Sequence, residues 1–130
     1  MLELPITSGG PNLVLEDPLV ATVQSTGEWQ AAVEVATTRT VVRIIAAQMF
    51  ALPPESLQTA DLYDALGEVA NMVGGNLKGI ANSELDLSLP TVVEREVIAD
   101  SVAHIIAVNM KCAGHPFRIR VIEMNQVAIA

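Results

Sequence analysis

Between residues 37 and 80 the chain carries two blocks of helical period, parted by Pro53 and Pro54, and the runs on either side read as strand. That segregation limits the fold more than any other feature. In "TTRTVVRIIAAQMFALPPE", Val41, Val42, Ile45, Met49 and Leu52 recur at helical spacing. Thr37 or Thr38 caps the start, and Leu52, next to Pro53, ends the helix. A second helix is expected from Ser56 or Thr59 to about Gly79. Before them, "LVATVQSTGEWQAAVEVA" reads as a hairpin turning at Thr26 and Gly27. There Trp29, Ala31, Val33 and Val35 alternate with Glu28, Gln30 and Glu34, which predicts one buried face. After the helices, "LSLPTVV" reads as a short strand, with Pro90 marking an edge or a bulge. "SVAHIIAVNMKC" and "HPFRIRVIEM" read as two longer strands joined at "AGHP". The order β-β-α-α-β-β-β predicts an α+β fold, an antiparallel sheet with two long helices packed on it. At 130 residues one domain is expected, 1–130, opening with an irregular lead-in over 1–18 that is rich in Pro and Gly.

Composition removes several functions. Net charge is −8 with only seven Lys and Arg, so a phosphate backbone finds little to bind. Trp29, Phe50, Tyr63 and Phe117 are the whole aromatic complement, too few for a base-stacking platform. No nucleic-acid partner is expected. The most apolar run, "VVRIIAAQMFAL", is broken by Arg43 and is shorter than the roughly 18 residues of a membrane span. No signal peptide is visible at the start. With Cys112 as the single cysteine, no disulfide framework is available within the chain, and a cytoplasmic location is expected. Neither His104 nor His115 is accompanied by a Cys or carboxylate cluster, so no metal site is expected. Ser88 lacks the G-x-S-x-G context of a hydrolase nucleophile.

The second helix poses the functional question. Its stretch "DALGEVANMVGGNLKG" holds Gly67, Gly74, Gly75 and Gly79, half of the eight glycines in the chain. Each costs a helix interior about 1 kcal/mol against alanine. At about 100° per residue, Leu62, Leu66, Val69, Val73, Leu77 and Ile80 form the core stripe. Asp64, Glu68, Asn71 and Gly75 gather opposite, and Glu68 and Asn71, three positions apart, are neighbours. Gly67 and Gly74 flank that polar stripe. A bare surface around two polar side chains suits their insertion into a partner's site. The simpler account is a solvated face, with glycines where the helix kinks or packs tightly.

The D-x-x-x-E-x-x-N pattern of Asp64, Glu68 and Asn71, preceded by "LPPESLQTADLY" and followed by "LSLPTVV", resembles the CheC/CheX family of chemotaxis phosphatases. The single E-x-x-N helix is most similar to CheX, and the resemblance covers about residues 48–93. It implies an antiparallel sheet with long helices and removal of the phosphoryl group from a phospho-aspartate on a CheY-like response regulator. By the same resemblance Glu68 contacts the regulator's lysine and Asn71 orients the attacking water. Asp64, Gly67, Gly74 and Gly75 border the docking surface. The regulator brings its own Mg²⁺, so this chain needs no cofactor. The first helix has no E-x-x-N, which leaves one active site per chain. CheX-type proteins pair through their sheets, so a homodimer is expected; the run 102–110, apolar on both faces in its first half, agrees with that. A catalytically silent domain of the same fold that only binds the regulator is the alternative.

Overall fold

The computed structural model describes residues 6–8, 15–27, 30–81, 85–95 and 102–124. Seven strands and two helices are found there: β1 (Ile6–Ser8), β2 (Pro18–Gly27), β3 (Ala31–Thr38), α1 (Arg39–Phe50), α2 (Thr59–Ala81), β4 (Leu85–Leu87), β5 (Thr91–Val93), β6 (Val102–Cys112) and β7 (His115–Met124). The sheet runs β1-β6-β7-β3-β2-β4, with β5 also on the outer edge of β2, and every pairing is antiparallel. Both helices lie against β2 and β3. The α+β architecture is the one that the periodicities predict. One part of the expected lead-in is regular: Ile6–Ser8 pairs with Met110–Cys112 at the end of β6.

Local signals account for the helix ends. Thr38 is extended (φ −88°, ψ 155°) and its hydroxyl accepts from the Val41 N–H at 3.3 Å, capping α1. The far end closes through Ala51 in the left-handed region (φ 53°), with the Leu52 N–H on Ala47 O at 3.1 Å before the two prolines. α2 begins at Thr59, the later of the two expected starts. Asp61 reaches back to accept from the Gln58 N–H at 2.8 Å, half of a capping box, and its charge suits the helix N-terminus.

The core lies between the helices and one face of the sheet. Leu62 and Leu66 of α2, Val41 and Val42 of α1, and Val23 and Val35 of the sheet are all fully enclosed. Each such side chain stabilises the fold by about 1.5–3 kcal/mol. The register places Ile106 opposite Val121 and Val121 opposite Val33; likewise Val108, Ile119 and Val35 lie in one row. Ile106 and Val108 therefore point to the helix side, but the helices stop short of β6 and leave them 66% and 51% exposed.

β3 departs from its alternating pattern. All eight of its residues are buried, Glu34 included at 4% exposure. β3 sits inside the sheet between β2 and β7, and its second face is closed by charge pairing rather than wetted. The Arg120 Nε donates to Glu34 Oε1 at 2.7 Å, and Arg120 is itself only 7% exposed. Trp29 and Glu28, which the sequence assigns to the same strand, lie outside the described residues. The β6–β7 hairpin turns on Ala113 and Gly114, both at positive φ (52° and 80°), as two-residue hairpin turns require. "LSLPTVV" is not one strand but two. Between β4 and β5, residues 88–90 step out of the ladder, because Pro90 has no N–H to give it. Ser88 holds the register across the gap: its N–H donates to Gln24 O at 2.8 Å, and its hydroxyl accepts from the Gln24 N–H at 2.9 Å.

Candidate functional site

α2 buries Leu62, Ala65, Leu66, Val69 and Ala70 and turns the opposite face outward. On that face Asp64 and Glu68 are exposed and Asn71 is half-buried. A shallow groove of about 450 Å³ runs beside them, lined by Tyr63, Asp64, Gly67, Glu68 and Asn71 from the helix and by Pro90 and Val92 from the edge of the sheet. Neither Glu68 nor Asn71 has a side-chain hydrogen bond among the described residues, so an amide and a carboxylate stand side by side with their hydrogen-bonding capacity free.

The glycines divide into two kinds. A Cβ at Gly67 would stand 3.1 Å from Pro90 Cγ, and one at Gly74 would stand 3.0 Å from Val23 Cγ2 and 3.4 Å from Leu87 Cδ1. Gly67 and Gly74 are buried, and their bare backbone lets the β4–β5 edge and β2 close onto α2. Gly67 remains in the groove as its floor. Gly74, expected at the docking surface, faces inward instead. At Gly75 and Gly79 a Cβ would meet nothing within 4 Å. Those two keep the outer face of the helix bare, as the sequence suggests for Gly75.

A polar clamp fixes the sheet side of the groove. The Tyr63 hydroxyl donates to Glu94 Oε1 at 2.9 Å, and Arg39 donates to the same oxygen at 2.8 Å. Arg39 also pairs with Asp17 at 3.3 Å, while its backbone N–H donates to Asp17 O at 3.0 Å. The hydrogen bonds from Arg39 and then Tyr63 hold the Glu94 carboxyl below the ordinary carboxylate range. In return the bond to Glu94 pushes Tyr63 and Arg39 up. One carboxylate thus ties the chain after β5 to the first residue of α1 and the second turn of α2. The sequence pattern does not mark Tyr63, Pro90, Val92 or this clamp as part of a site. The available signal was the L-x-L-P following the helix, but nothing local tells which helical residue the proline meets.

Cys112, Ser88 and His115 do not line the groove. Cys112 is buried, and burial pushes its thiol up, away from the reactive thiolate. The side chain of His104 lies outside the described residues. Among the described residues no three His, Cys, Asp or Glu gather as metal ligands, and no helix is long and apolar enough to cross a membrane.

The described residues thus form a seven-stranded antiparallel sheet under two helices, with an E-x-x-N pair turned outward over a shallow groove. The comparisons identify the family. The model described as chemotaxis phosphatase CheX matches residues 19–113, and the chain belongs to that family. Solved structures share the fold at low identity. CheX from Vibrio vulnificus superposes with a TM-score of 0.75 at 17% identity, covering 92% of this chain and 83% of that one. A CheC-like superfamily protein from Shewanella sp. PV-4 reaches 0.71 at 22% identity, covering 95% and 86%. The CheX–CheY–BeF3–Mg²⁺ complex from Borrelia burgdorferi also reaches 0.71, at 14% identity over 96% and 87%. No curated protein matches the chain.

Proposed function

We propose that this protein removes the phosphoryl group from the phospho-aspartate of a CheY-like response regulator in chemotaxis or two-component signalling. The observation that carries the reading is the outward pair itself: Glu68 and Asn71 stand together at the mouth of the groove, unpartnered among the described residues. Membership of the CheX family supports it, as does the fold shared with a relative that was solved in complex with CheY.

In this reading α2 lays the pair into the regulator's phosphorylation site. Glu68 meets the regulator's lysine and holds the complex. Asn71 accepts a hydrogen bond from water through its carbonyl oxygen and donates to a phosphoryl oxygen through its amide. The water oxygen then approaches phosphorus in line. The new O–P bond forms as the aspartyl O–P bond breaks, leaving inorganic phosphate and a free regulator carboxylate. Phosphoryl transfer demands position more than covalent help, and one oriented water meets that demand. The Mg²⁺ arrives with the regulator as part of the substrate. We propose further that two copies pair through their sheets over Ile106 and Val108, which leaves both α2 faces outward.

The test is phosphate release from a panel of phosphorylated regulators. Glu68→Ala and Asn71→Ala should each lower the rate about 100-fold on the cognate regulator, with the unfolding midpoint unchanged because both side chains face away from the core. Full activity in either variant rejects the assignment. Binding without phosphate release by the unaltered protein marks the silent alternative.

A further inference from the structure

Leu89 is the most exposed of the large hydrophobic residues, at 86%, and it sits where the backbone has little freedom. On one side Ser88 is locked to Gln24 by two hydrogen bonds, 2.8 Å and 2.9 Å. On the other, Pro90 is seated over Gly67 and lines the groove. Beyond β5, Glu94 is clamped by Arg39 and Tyr63. A leucine on a slack loop folds back onto nearby apolar surface. Here the chain on both sides is pinned, and the side chain stays in water one residue from Pro90 of the groove wall.

The other rim of the polar pair is apolar too. Met72 lies about 40° around the helix from Glu68, on the side away from Asn71, and is 47% exposed. Around the helix the order is Gly67, Asn71, Glu68, Met72, with Pro90, the residue after Leu89, against Gly67 at the Asn71 end and the bare backbone of Gly75 and Gly79 continuing the line of Glu68 down the helix. The charged residues lining the groove, Asp64 and Glu68, are both acidic. Such a strip complements a surface that presents a cationic side chain between two apolar depressions, close enough to touch helix backbone.

We propose that Leu89 is the apolar anchor of the docking surface, seating in a depression on the receiver domain of the response regulator beside its phosphorylation site, with Met72 as the smaller anchor on the opposite rim. This rests on the reading of the protein as a partner of a phosphorylated regulator, and extends the contact beyond the E-x-x-N pair to a segment from a different element. Desolvated apolar anchors beside a polar pair carry affinity, while the pair carries geometry and charge.

The experiment measures the Kd of the full chain for the beryllofluoride-loaded, Mg²⁺-bearing receiver domains of the same panel, together with KM for the phosphorylated forms. Leu89→Ala should raise Kd and KM about tenfold, and Leu89→Asn further, since it leaves a polar group to be desolvated. Leu89→Met should restore binding to within about twofold, because it keeps volume and apolar character. Met72→Ala should weaken binding by a smaller factor, about threefold. Unfolding midpoints should not move, as both side chains stand in solvent. Kd within twofold of the unaltered protein in Leu89→Ala and Leu89→Asn, while Glu68→Ala weakens binding, overturns the anchor and leaves the function standing. Full phosphatase activity in Asn71→Ala alongside the expected Leu89 series overturns the catalytic reading and leaves the anchor standing. An unaltered protein that neither binds nor dephosphorylates any receiver on the panel overturns both.

Discussion

The glycines of α2 permit one substitution to be tested in three environments. Changing a helix glycine to alanine gains about 1 kcal/mol of propensity wherever the new methyl meets nothing. Gly75→Ala has that open space, so the full gain is expected, an increase of a few degrees in Tm. At Gly74 the methyl would stand 3.0 Å from Val23 Cγ2, roughly 0.5–1 Å inside a comfortable carbon–carbon distance. Val23 is fully buried against Leu66 and its neighbours and has nowhere to go. Overpacking of this kind costs about 1–3 kcal/mol, which cancels or exceeds the propensity gain. Gly74→Ala should therefore be about 1–3 kcal/mol less stable than Gly75→Ala. At Gly67 the obstacle is Pro90 Cγ at 3.1 Å, on the surface edge of the sheet, where a shift of a few tenths of an ångström is available. Gly67→Ala should keep most of its stability gain but push Pro90 outward and reshape the groove beside Asn71. Its expected signature is a raised or unchanged midpoint with reduced phosphatase rate. Urea unfolding at constant m-value reports the stability order, and phosphate release from the cognate regulator reports the groove. Equal stability of Gly74→Ala and Gly75→Ala would refute the packing argument. A Gly67→Ala protein with normal rate would show that the groove tolerates the displaced proline.

Glu34→Leu should destabilise by about 3–5 kcal/mol, because it strands Arg120 in a site where only 7% of the residue is exposed. Arg118 on the same strand is already pushed down by burial and by the charge of Arg120. The pair Glu34→Leu with Arg120→Met should recover most of the loss, and a single variant within about 1 kcal/mol of the parent in urea unfolding would contradict the pairing. For Glu94 the folded carboxyl is held below its ordinary 4.5, so the stability it adds is present above that value and disappears as pH falls through the lowered one. Unfolding midpoints of the parent and Glu94→Gln should differ at pH 7 and converge below about pH 4.5; a gap that stays constant down to pH 3 speaks against the clamp. Sedimentation equilibrium at micromolar concentration should give twice the 13.8 kDa chain mass, and Ile106→Lys with Val108→Lys should return it to one; a monomer mass for the parent sinks the dimer.

What the sequence determined by itself is local in origin. The 3.6-residue period puts Glu68 and Asn71 side by side and opposite the Leu62–Leu66 stripe whatever the rest of the chain does, because one helix turn suffices to define a face. Thr38 caps α1 and Asp61 opens α2 through bonds that span three residues, and Pro53 ends what precedes it by sterics alone. The segregated order of strands and helices is likewise visible, since period two and period 3.6 are each read within a short window. The tertiary structure decided everything that depends on residues far apart in the chain. Whether a glycine is bare for a partner or for the fold cannot be read from its own helix: Gly74 faces Val23 and Gly67 faces Pro90, while Gly75 faces solvent. Glu34 sits at an outward position of an alternating strand and is buried all the same, because Arg120, 86 residues later, neutralises it in the middle of the sheet. The second wall of the groove, with Leu89 held out beside it, arises where an edge strand is interrupted by a proline and folded against α2. Chain distance hides such contacts from any local pattern, since a side chain's neighbours across a core are set by how the layers pack and not by its own period.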